Sequence, residues 1–167
     1  MVSNTSESDR EIRKYLVWLL RSGDAHMTLD DAIAEFPMDQ INVIFPRSTY
    51  SFWGALEHVR RTQADILDFI KNPNYQERDW PREFWPEKGT LAKKTDWQKT
   101  IKEYKKDLDE LIKIIKDPKT KLFENIPWGN GETIFREVLL AADHTSYEIG
   151  EIATMRRVFG HWDITHP

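Results

Sequence analysis

The stretch Leu139–Gly160, LLAADHTSYEIGEIATMRRVFG, decides the reading of this chain, because it sets ionisable groups where a packed helix normally sets apolar ones. At about 100° per residue, Ile134, Ala141, Ile152, Met155 and Phe159 all fall within about 40° of Glu148. His144, four residues earlier, shares that face. Glu148 therefore points into an apolar stripe. An unpaired carboxylate there is costly or takes up a proton, so a compensating partner is expected. A metal ion shared with His144 is one such partner; a buried His–Glu hydrogen bond or an ion pair with an arginine is another.

Working upstream, the same helical rhythm recurs. Thr133 opens the last helix after a loop over 123–132 that contains Pro127 and Gly129-Asn130-Gly131. Before it, Trp97, Ile101, Tyr104, Leu108, Leu111 and Ile115 alternate steps of four and three up to Asp117-Pro118, with a capping box expected at Thr95 and Gln98. Phe52, Leu56, Val59, Gln63, Ile66 and Ile70 give a second such seam, capped by Ser48 or Thr49 and ended by Asn72-Pro73. Between these two helices, residues 75–94 carry Trp80-Pro81, Trp85-Pro86 and Gly89. So long a connection is unusual in a compact domain unless it crosses the bundle or covers a site.

Near the start, Ser8 and Glu11 have capping-box form, and Ile12, Tyr15, Leu16, Leu19 and Leu20 follow at helical spacing to Ser22-Gly23. Thr28 with Leu29, Ala32, Ile33 and Phe36 predicts a short extra helix closed by Pro37, and 41–46 an irregular crossing. With almost no period-two alternation, the pattern predicts an all-α fold: a four-helix bundle with long crossover connections and one short extra helix. Residues 8–162 are read as a single domain, 1–7 as a disordered tail and 163–167 as a C-terminal tail.

Composition narrows the function classes. The chain has 167 residues and 40% hydrophobic content, enough for one substantial core. A net charge of -4, from 24 basic and 28 acidic residues, offers no basic field for nucleic acid. The absence of cysteine excludes disulfides, thiolate ligands and a cysteine nucleophile, so any reactive thiol must come from a second molecule. No signal peptide and no run of about 18 apolar residues is found, and the expectation is a soluble, cytoplasmic protein without membrane contact.

Two residues of one helix rarely complete a site, and His58 is the candidate third. It shares a row with Ala55, Thr62 and Phe69 beside the main seam of its helix, where an ordinary edge or surface histidine is the plain reading. Glu57 and Glu151 are candidates to orient an imidazole, with solvated surface as the alternative. Glu137, about 20° from Glu148 but three turns away, is read as a salt-bridge residue, and Tyr147 as a packing residue or a donor to substrate. Arg156 and Arg157 could clamp an anion or favour the helix dipole. Gly150 lies opposite Glu148, where a close helix or subunit contact would explain it. His26, His161 and His166 have no spacing relation to the site, and the turn explains Asn130.

Two segments, EHVRRTQADILDFI (57–70) and DHTSYEIGEIATMRRVFGHW (143–162), resemble the DinB-like superfamily of bacterial metal-binding four-helix bundles. The likeness extends to FPMDQINVIFP (36–46), NPNYQERDWPREFWP (72–86) and GNGET (129–133), nearly the whole chain. It implies one divalent metal bound by a histidine of the second long helix and an H-x-x-x-H pair on the last. His58 matches the first and His144 the second, while Glu148 stands where the third histidine usually is. A His-His-Glu set still suits zinc, nickel, manganese or iron, with a shift towards harder metals.

By the same resemblance the expected function is transfer of a low-molecular-weight thiol to an electrophilic small-molecule substrate, favoured over metal-dependent hydrolysis, with a homodimer as the assembly. The competing expectation is a non-catalytic bundle that has lost its metal and serves as a ligand-binding or dimerisation module. It predicts no bound metal and unchanged or raised stability when Glu148 becomes leucine.

Overall fold

A computed structural model describes residues 6–22 and 25–162 and contains five helices: α1 (Glu7–Arg21), α2 (Leu29–Ile33), α3 (Phe52–Lys71), α4 (Lys94–Lys116) and α5 (Ile134–Val158). No strand occurs among the described residues. The all-α reading therefore holds, while 1–5 and 163–167, with His166, lie outside the described residues.

Caps set the ends, and three start earlier or later than their sequence signals. Ser6, not Ser8, accepts the Asp9 N–H (3.2 Å), so the helix begins inside the stretch read as a tail. That choice puts Glu7 and Asp9 in the first turn, where the helix dipole favours acids. Ser51, not Ser48 or Thr49, caps α3 by accepting from Gly54 (3.1 Å). At α4 the Lys93 N–H donates to the Asp96 carboxylate (2.7 Å), two residues ahead of the box expected at Thr95. Thr28 and Thr133 cap α2 and α5 as read, and Asn72 and Asp117 end α3 and α4.

α3 packs against both α4 and α5, and α1 packs against the same two helices. α1 is thus diagonal to α3, and α4 to α5. The α1–α3 and α4–α5 connections therefore cross between opposite corners, whereas 72–93 joins the neighbours α3 and α4. Buried polar groups pin these crossings. Arg13 of α1, 8% exposed, donates to the carbonyls of Ile115 (2.7 Å), Asp117 (2.9 Å) and Thr120 (2.8 Å), supplying donors that the end of α4 lacks. Arg156, 1% exposed, does the same for α2 through Ala32 O (2.8 Å) and Ala34 O (2.9 Å). It is a staple and not an anion clamp.

The core forms two clusters, one around Phe52, Leu56, Trp97 and Ile152, the other around Leu16, Leu111, Ile115 and Val138. Along α5, Ala141 belongs to the second and Ile149 to the first, so His144 and Glu148 fall where the two meet. The seam residue Tyr15 lies outside the core, 59% exposed and edge-on to Trp18. Gly150 is exposed, and a Cβ built there meets nothing within 4 Å, so no contact among the described residues explains it.

Candidate metal centre

α3 and α5 bring the three singled-out residues together. His58 Nε2 lies 3.1 Å from His144 Nε2 and 3.7 Å from Glu148 Oε1, and His144 Nε2 lies 3.8 Å from the same oxygen. The point equidistant from these atoms is about 2.1 Å from each, the bond length of zinc to imidazole nitrogen or carboxylate oxygen. His58 and Glu148 are buried, at 2% and 5% exposure, and His144 is partly exposed, so the group is reached past His144. This buried group could hold a metal ion.

Its electrostatics point the same way. The His58 Nδ1–H donates to the Phe84 carbonyl (3.0 Å), which leaves Nε2 with a lone pair aimed at the other two residues. Burial pushes His58 down, outweighing that carbonyl. Burial, and then the neighbouring His58, push His144 down to about 4. Burial, and then the Glu151 carboxylate, push Glu148 up to about 7. Near neutral pH two uncharged imidazoles thus face a carboxyl that is half ionised. Glu148 Oε2 is buried without a hydrogen-bond partner, and its Oε1 contacts to the histidines are too long for hydrogen bonds. The hydrogen-bonded His–Glu pair allowed by the sequence is therefore not formed. Arg156, the buried arginine of the same helix, is spent on α2. The two Nε2 atoms are within hydrogen-bond distance of each other, and a cation in place of that contact would satisfy all three groups at once.

His58 is buried despite its flanking position because the 72–93 connection folds over it. Trp85 stacks on its imidazole (3.9 Å, 12°), Tyr50 stacks on Trp85 (4.5 Å, 29°), and Trp80 stands 6.0 Å away. The cover is fastened carbonyl by carbonyl: Arg61 donates to Glu83 O (3.2 Å) and Trp85 O (2.8 Å), with His58 holding Phe84 O between them.

The other candidates take different roles from those expected. Glu57 is buried, not solvated, and does not touch an imidazole. It binds Arg60 (2.6 Å), Arg61 (2.9 Å) and Thr100 (2.8 Å), and although burial pushes its carboxyl up, these hydrogen bonds hold it below the usual value. Its link to the centre runs through Arg61 and the cover. Glu151 accepts from the Tyr50 hydroxyl and reaches His58 only through its field. Tyr147 is 66% exposed with its hydroxyl on Glu151, so it is not a packing residue. Glu137, 2% exposed, pairs with Arg136 (2.6 Å) as read. His161 packs among Phe36, Phe52 and Phe159, and His26 bonds Ser146 (2.9 Å); neither joins the group.

Sequence reasoning missed Phe84, whose backbone orients His58, together with Arg61, Trp85 and Tyr50. The two Trp-Pro pairs signalled a cover, but spacing does not say which carbonyl a connection presents. No helix among the described residues is long and apolar enough to cross a membrane. Compared with family models, curated proteins and solved structures, the chain matches none.

Proposed function

We propose that this chain is a DinB-like, divalent-metal-dependent enzyme that transfers a low-molecular-weight thiol to an electrophilic small molecule, the metal being zinc, nickel, manganese or iron held by His58, His144 and Glu148. The observation that carries the reading is the buried Glu148 carboxylate, its Oε2 without a hydrogen-bond partner and its Oε1 facing two neutral imidazole nitrogens at ligand separation. Two nitrogens and one oxygen suit any of these metals and leave positions for substrate. When bound, such a cation supplies a Lewis acid that lowers the pKa of an incoming thiol. The rest is the work of the chain. Phe84 fixes the His58 ring, the Trp85 cover keeps water from one face of it, and the partly exposed His144 side admits substrate. The thiol is external because the sequence has no cysteine.

A thermal-shift series over zinc, nickel and manganese tests the site. The unfolding temperature is expected to rise with metal concentration in the parent and to stay level in His58→Ala and His144→Ala. No bound metal at neutral pH ends the reading. The enzyme half is tested by following loss of free thiol from glutathione mixed with a chlorodinitrobenzene electrophile and the metal-loaded protein.

The cover supplies a separate expectation. Arg61→Ala frees two of the three fastened carbonyls and lets the His58 ring turn, so metal affinity should fall about 10- to 100-fold while the helical content stays constant. A competition titration against a chromogenic chelator measures it, and unchanged affinity would show that the cover does not tune the ligands.

A further inference from the structure

Beside the centre, a cavity of about 590 Å³ lies between residues 42–54 and 81–91. Tyr50 and Trp85 line it and the three metal-site residues do not, so the Trp85 indole stands between the cavity and His58. The size is that of a small-molecule site. Its walls are fixed in advance. The Asn42 side chain joins them by donating to Ala92 O (2.9 Å) and accepting from Ala92 N (2.8 Å), Arg61 holds Trp85 O, and Pro81 and Pro86 stiffen the far side. Tyr50 and Trp53 line its apolar floor, and Ile44 and Leu91 stand exposed at its mouth, while of its two cations Arg82 pairs with Asp79 (2.9 Å), leaving Lys88 for an anionic group.

We propose that this cavity binds a small organic molecule with a planar apolar body and an acidic group, the body against Tyr50 and the acid towards Lys88. Turning Trp85 out of its stack joins the cavity to the metal-site residues, which makes the molecule the co-substrate and Trp85 the gate. That role rests on the metal-centred reading above; the binding itself does not.

The test titrates 1-naphthoate into the protein with and without added zinc and follows the indole N–H signals of the seven tryptophans by NMR. Selective movement of Trp53 and Trp85 is expected, with affinity about tenfold weaker in Lys88→Glu and in Tyr50→Leu. Shifts that are absent, or spread over all seven indoles, overturn the site. Equal affinity for uncharged naphthalene-1-methanol, or an unaltered Lys88→Glu, overturns the acidic class. Naphthoate binding without zinc binding leaves the cavity assigned and removes the metal-centred reading, and the converse removes only the cavity.

Discussion

Replacing Glu148 by leucine is expected to make the metal-free protein more stable at pH 8, by about 3 kcal/mol, and to abolish its response to metal. The buried carboxyl ionises near 7 in the fold against 4.5 for a free glutamate, so its protonated form is the one the fold favours. Its contribution is present below about pH 4.5 and is lost as pH rises through 7, at about 1.4 kcal/mol per pH unit between the two values. Leucine does not titrate. The difference between variant and parent should therefore open between pH 5 and 8, as read by urea denaturation. His144, pushed down to about 4, destabilises in the opposite direction as pH falls below its ordinary 6.5, but it is present in both proteins and cancels.

Metal separates the two functional readings that share this result. A cation at one hundred times its Kd should stabilise the parent by about 2.7 kcal/mol and Glu148→Leu not at all. Because the proton on Glu148 must leave first, affinity in the parent should fall about tenfold per unit as pH drops below 7. A leucine variant that still gains stability from metal would remove Glu148 from the site. A parent that gains none would leave a non-catalytic bundle.

The second large effect is expected about two turns along α5 from Glu148. Arg156→Ala should cost about 3 kcal/mol, because it strips the donor from Ala32 O and Ala34 O and empties the space beneath Phe36 and Trp162, which the guanidinium covers at 5.1 and 4.3 Å. Arg156→Met keeps most of the volume and none of the donors, so its smaller loss isolates the hydrogen bonds. Urea midpoints with constant slope measure both. A loss below about 1 kcal/mol for alanine would mean that water replaces the guanidinium at the end of α2.

The long helices were legible because each follows from local chemistry: apolar residues at helical spacing and, for α3 and α4, an Asn-Pro or Asp-Pro stop. The starts were less legible. Ser6 and Ser8, or Ser48, Thr49 and Ser51, are equivalent as caps on paper, and the choice falls to what the following turn can bond or pack. Glu148 was legible for the same reason as the helices, since a carboxylate on an apolar stripe contradicts the rhythm around it. Arg13 and Arg156 were not, because their partners are main-chain carbonyls 102 and 124 residues away.

By itself the sequence determined the all-helical pattern, the order of the long helices and the inward face of α5 with His144 and Glu148 on it. Only the tertiary structure decided that His58 is buried and that its Nε2 meets His144 Nε2 at 3.1 Å and Glu148 Oε1 at 3.7 Å. Periodicity fixes where a side chain lies around its own helix. The distance to another helix, and the carbonyl of Phe84 that turns the ring, depend on how a 22-residue connection closes over the bundle, which spacing within α3 does not encode.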